Sequence, residues 1–115
     1  MFFQRNKNMS IDTSEIEEPN VFVVKNAFKS VMYYIVSGKC VRGNFNINDR
    51  IIVREQNCDI LEGYIDKIKT YDHVDIEMVN SDFKNSISLY ILIQNNEENQ
   101  KITNKDIIVN HSLSN

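Results

Sequence analysis

Glycine is scarce in this 115-residue chain: only Gly38, Gly43 and Gly63 occur, at spacings that cannot build a phosphate-cradling loop. No apolar run approaches the ~20 residues needed to cross a bilayer. The opening Met1-Phe2-Phe3 is followed at once by Gln4-Arg5-Asn6-Lys7, which is not the pattern of a secretory signal. Cysteine is equally thin. Cys40 and Cys58 match no zinc-ligand spacing and are expected to be free thiols. His73 and His111 are the only histidines, and neither has a Cys or His at metal-ligand distance in the sequence, so both read as surface residues. These absences exclude a membrane protein, a nucleotide-loop enzyme and a disulfide scaffold. The expectation is a cytoplasmic chain with no metal and no cofactor.

What is abundant points to strands. There are 16 Ile and 10 Val against 4 Leu and 1 Ala. β-branched side chains lose rotamer freedom in a helix but pack well on a pleated surface. The 16 Asn supply turns, because Asn tolerates left-handed backbone angles. Residues 1–20 lack a sustained apolar period and end in Glu17-Glu18-Pro19-Asn20, a polar lead-in. Apolar runs then predict strands over 21–24, 31–40, 44–47, 50–54, 60–68, 86–93 and 106–109, with 86–93 a long strand covered on both faces. Val74, Ile76 and Met78 alternate with Asp75 and Glu77, as in a half-exposed strand, and Gly63 sits where a bulge or close backbone approach fits. Residues 55–59 and 95–100 read as polar loops, and 110–115 as a fraying end. Short strands at such intervals fit a sandwich or a small barrel, and a barrel hides the edges of strands this rich in Ile and Val. The fold expected over 21–109 is therefore all-β, a single closed six- or seven-stranded antiparallel barrel.

The most informative block runs from Gly38-Lys39-Cys40-Val41-Arg42-Gly43 through Asn44-Phe45-Asn46-Ile47-Asn48-Asp49 to Arg50-Ile51-Ile52-Val53. It describes a strand, a tight turn at Arg42-Gly43, a short strand, a turn at Asn48-Asp49 and a further strand. Gly43 takes positive φ without a Cβ clash, and Asn48 is the next most tolerant residue type. Cys40, Phe45, Ile47, Ile51 and Val53 then point toward one core. This block resembles the second, β-barrel domain of translational GTPases of the elongation factor Tu and initiation factor two type. Gly38, Lys39, Arg42, Gly43, Phe45, Ile47, Asp49, Ile51 and Val53 fall in register with that family's pattern, and Asn48 stands where the family has a turn glycine. The resemblance extends over residues 21–109. It implies a translation-related barrel, which in elongation factors helps hold the 3′ end of aminoacyl-tRNA and touches the ribosome. Residues 1–20 are too few for a GTP-binding domain, so this barrel is expected to stand without one, to bind no nucleotide and to be no enzyme.

Charge is distributed unevenly. Residues 21–54 carry six basic side chains and one acid, a balance of +5, whereas 55–99 carry ten acids and three bases, a balance of −7. Nucleic-acid affinity follows local positive field, so Lys39, Arg42, Arg50 and Arg54, grouped around the two turns, are the candidate contacts for RNA (tRNA or rRNA) or for a protein partner. The resemblance supports a basic contact role for Lys39 and Arg42. Tyr33, Tyr34 and Phe45 offer stacking surfaces if they are exposed. The alternative reading is a stand-alone protein–protein interaction domain that binds no RNA. Ser81-Asp82-Phe83-Lys84 spells a Ser-x-x-Lys pattern without the helix such a nucleophile needs. Asp72, His73 and Asp75 read as an ordinary loop, and the oligomeric state is left open.

Overall fold

The computed structural model describes residues 18–55, 58–95 and 107–110. The residues read as a tail over 1–17, the polar stretch 96–100, residue 106 and the end at 111–115 lie outside them. Nine strands are described: β1 (Val21–Lys29), β2 (Tyr34–Arg42), β3 (Asn44–Asn46), β4 (Arg50–Glu55), β5 (Cys58–Lys69), β6 (Asp75–Ile76), β7 (Met78–Asn80), β8 (Ile87–Asn95) and β9 (Ile107–Asn110). The large sheet runs β4-β9-β1-β2-β8-β5-β6, and β4 also pairs with β5. Six strands therefore close into an antiparallel barrel, with β6 added beside β5 and β3–β7 as a separate two-stranded ribbon. The expected all-β closed barrel is what the chain forms.

Closure follows from alternation. Val36 on β2, Ile51 and Val53 on β4, Leu61 and Ile65 on β5, and Leu89 and Ile91 on β8 are buried in one cluster. Phe45 and Val79 bring the ribbon into the same cluster, where Phe45 meets Phe22 edge-to-face at 5.9 Å. Burying each such side chain stabilises the fold by about 1.5–3 kcal/mol. Of the five side chains read from the central block, Cys40, Phe45, Ile51 and Val53 are buried, and Ile47 packs partly buried against them.

Both turns of that block take the backbone geometry read from their residues. Gly43 has φ of 71° and Asn48 of 75°. The buried Asn20 braces the first turn, its Oδ1 accepting the Asn44 N–H at 2.9 Å. Asp49 braces the second, Oδ2 accepting the Asn46 N–H at 2.8 Å. Asn48 N–H then donates to the Ile65 carbonyl at 2.6 Å, and Ile65 N–H donates to that of Asp49 at 3.0 Å. The motif is thus chiefly a backbone device that latches one turn onto β5. Gly63 lies at a register shift against β8, where a Cβ would come within 2.5 Å of the Leu92 carbonyl oxygen.

Five local readings are corrected. Residues 31–33 are not strand: Ser30 N–H donates to the Tyr33 carbonyl at 2.8 Å, turning the chain and leaving Val31 and Met32 in water. Strand β5 begins at Cys58 inside the stretch read as loop, and β8 runs through Asn95. The expected strand through 74–78 is divided at Glu77: β6 joins the barrel sheet and β7 pairs with β3, so Val79 is buried while Met78 and Val74 are exposed. Strand β8 is covered on one side only, with Ser88, Tyr90 and Leu92 half-buried between the buried Ile87, Leu89 and Ile91.

Candidate functional site

The four basic residues singled out from sequence do not form one open patch. Arg42 Nη1 donates to the Glu18 carbonyl at 2.7 Å. Arg54 bridges the Glu18 carboxylate at 3.0 Å and that of Asp59 at 2.7 Å. Glu18 therefore draws Arg42 and Arg54 together, and it does so by engaging both. Arg50 lies four residues from Arg54 along β4, roughly 13 Å at about 3.3 Å per residue, and pairs with Glu62 at 3.5 Å. Lys39 is exposed, with no ion pair among the described residues.

Tyr34 and Phe45 are buried, which removes them as stacking surfaces and leaves Tyr33. A different face of the barrel gathers around it. Ile35 lies opposite Tyr90, and Tyr90 opposite Lys67, in one row across β2, β8 and β5. Ser37, Ser88 and Lys69 form the next row, with the two serine hydroxyls 3.3 Å apart. Lys39 continues the outward side of β2 beyond Ser37, since side chains two residues apart share a face.

A bulge in β5 makes this face. Ile65 pairs with Ile91 and Lys67 with Tyr90, so Asp66 is the extra residue. The slip changes the parity of the strand: Ile65 and Ile68 both point inward, and Asp66 and Lys67 both remain on the accessible side. The Tyr33 hydroxyl donates to Asp66 Oδ2 at 2.6 Å, and that bond to a carboxylate raises its pKa above the ordinary tyrosine value. Tyr33 meets Tyr90 edge-to-face at 5.4 Å, Lys67 Nζ lies 6.0 Å from the Tyr33 ring, and Lys69 Nζ lies 5.9 Å from that of Tyr90. Lys69 also pairs with Asp75 at 2.7 Å, which raises the lysine pKa and lowers that of the aspartate. Two half-exposed rings flanked by ammonium groups can stack on a planar base and neutralise a phosphate.

Sequence reasoning missed Tyr90, Lys67 and Lys69. The signal was the alternation of Ser88, Tyr90 and Leu92 against Ile87, Leu89 and Ile91, which a reading of β8 as covered on both faces passed over. The residues of the Ser-x-x-Lys pattern are exposed and lie outside any helix, and Asp72 and His73 sit in an exposed turn. No group of three or more His, Cys, Asp and Glu able to hold a metal occurs among the described residues.

A closed six-stranded antiparallel barrel of this kind also occurs within larger solved proteins. The chain is similar to part of the S. cerevisiae Ski7 GTPase-like domain solved with GDP and inorganic phosphate, with a TM-score of 0.66 and 19% identity. It is also similar to part of a bacterial selenocysteine-specific elongation factor, EF-Sec, with a TM-score of 0.59 and 16% identity. The likeness covers 91% and 86% of this chain but only 25% and 16% of those two. No protein-family model and no curated protein matches the sequence.

Proposed function

We propose that this barrel is a non-catalytic, translation-related binding module that engages single-stranded RNA through its outer β2-β8-β5 face. The observation that carries the reading is the edge-to-face pair of Tyr33 and Tyr90 with Lys67 and Lys69 set over the two rings. Tyr90 supplies the stacking surface, Tyr33 buttresses it from its anchor on Asp66, and the two lysines with Lys39 meet phosphates. Arg42, Arg50 and Arg54 contribute to the positive field, although the ion pairs of Arg54 with Glu18 and Asp59 and of Arg50 with Glu62 offset part of it.

The test is equilibrium binding of short single-stranded RNA at several salt concentrations. Affinity is expected to fall with salt, in proportion to the phosphates neutralised. Tyr90→Ala removes a stacking partner and is expected to cost about 1–3 kcal/mol. Charge reversal at Lys67 and Lys69 should weaken binding more than reversal at Arg42 and Arg50. Absence of RNA binding, or indifference to Tyr90→Ala, overturns the proposal. Salt-tolerant capture of a defined protein partner by a chain that ignores RNA would establish the interaction-domain alternative.

A further inference from the structure

The turn joining β1 to β2 is closed twice. Ser30 N–H donates to the Tyr33 carbonyl at 2.8 Å, and Ser30 Oγ accepts the Tyr33 N–H at 3.3 Å. This holds Val31 and Met32 at a defined tip, with relative exposures of 101% and 63%, beside Phe28 at 60%. Large apolar side chains grouped in water on a fixed hairpin mark an interaction surface, unlike single scattered ones. Lys25 and Lys29 are exposed on the same arm, and no acidic residue occurs from 19 to 48. The tip is therefore apolar and positive.

The surface beside it has the opposite charge. A cleft of about 280 Å³ lies between Ile47, β5 and β6, where Ile47, Ile68 and Ile76 give it apolar walls and Asp66, Asp75 and Glu77 outnumber Lys67 among its charged ones, Asp75 being paired with Lys69. Tyr33, which ends the hairpin turn, donates to Asp66 of that cleft, so tip and cleft are two halves of one continuous patch. A patch that is apolar and basic on one half, apolar and acidic on the other, is complementary to itself. A twofold axis between the halves sets each tip over the other copy's cleft. Such an isologous contact closes at two copies instead of propagating.

We propose that this face pairs with a second copy of the chain, Val31 and Met32 of each seating in the cleft of the other, with Lys29 meeting Glu77. Apolar anchors inside a ring of charge are the usual anatomy of a specific contact. The patch shares Tyr33, Asp66 and Lys67 with the face proposed for RNA, so pairing and RNA would compete for it, and the test of pairing uses no RNA.

The experiment is sedimentation velocity of the whole chain over a concentration series, in low and high salt. A monomer–dimer equilibrium that weakens with salt is expected. Val31→Asp with Met32→Asp alters side chains that lie in water, so the fold is kept, as circular dichroism will verify, and the dimer is lost. Lys29→Glu and Glu77→Lys each place like charges at both tip–cleft contacts and should weaken pairing about tenfold or more. Mixing these two variants restores opposite charges at both contacts, and the mixed dimer should form again. A monomer at every concentration, a dimer indifferent to the Val31 and Met32 changes, or failure of the mixture to pair overturns the proposal.

Discussion

The Tyr33 hydroxyl is 2.6 Å from Asp66 Oδ2, and this bond ties the β1–β2 turn to the bulge in β5, 33 residues away. Without the bulge, strand parity would not leave Asp66 beside the accessible Lys67, and Tyr33 would have no carboxylate in reach.

A titration follows from that bond. The hydroxyl donates only while protonated, so its folded-state pKa lies above the ordinary tyrosine value. With the folded value raised, the bond's contribution is intact below the unfolded tyrosine pKa and is lost as pH rises through the folded one. In an ultraviolet titration the difference between the wild type and Tyr33→Phe should show one tyrosine ionising late. Asp66→Asn should bring that midpoint down. Equal midpoints in wild type and Asp66→Asn would deny the bond.

The two thiols should differ in reactivity. Burial pushes the Cys40 pKa up to about 11, and its Sγ lies 3.4 Å from the carbonyl oxygens of both Arg42 and Gly43. Because the thiolate is the reactive form, Cys40 is protected at neutral pH both by protonation and by the barrel wall. Cys58 is exposed. Labelling with a thiol reagent is expected to show one fast site, abolished by Cys58→Ser, and a second that reacts only on unfolding. Two fast sites would mean that Cys40 is not held as described.

How far the sequence disclosed these features depended on how local their physics is. The turns at Gly43 and Asn48 were legible because positive φ is a preference of single residues, and Phe45 was legible because alternation holds over a three-residue strand. Val31 and Met32 misled because β-type side chains read as strand even where Ser30 and Tyr33 close a turn. Val74, Ile76 and Met78 misled because a slip at Glu77 passes the chain from one sheet to another. The basic cluster looked open because Glu18, which engages Arg42 through its carbonyl and Arg54 through its carboxylate, lies 24 residues from the first and 36 from the second. The Tyr33–Tyr90 face depends on a bulge and on cross-strand register, and no short window of sequence carries either.

The turn at Gly43 offers the most direct check on how the barrel is pinned. A Cβ there would lie 2.0 Å from Asn20 Oδ1 and 2.4 Å from the Pro19 carbonyl oxygen, at a backbone φ of 71°. Gly43→Ala thus combines left-handed strain of about 1–2 kcal/mol with displacement of the Asn20 bond to Asn44, whose loss costs about 1–3 kcal/mol. A destabilisation of roughly 2–5 kcal/mol is expected in urea unfolding. Asn20→Ala removes the bond without the strain and should fall below that. Asn48→Gly keeps positive φ available and should stay within about 0.5 kcal/mol of wild type, because Asn already tolerates it and glycine adds chain entropy. The ordering is the substance of the prediction. If Gly43→Ala were as mild as Asn48→Gly, neither the left-handed turn nor its asparagine brace would be holding the β2–β3 reversal.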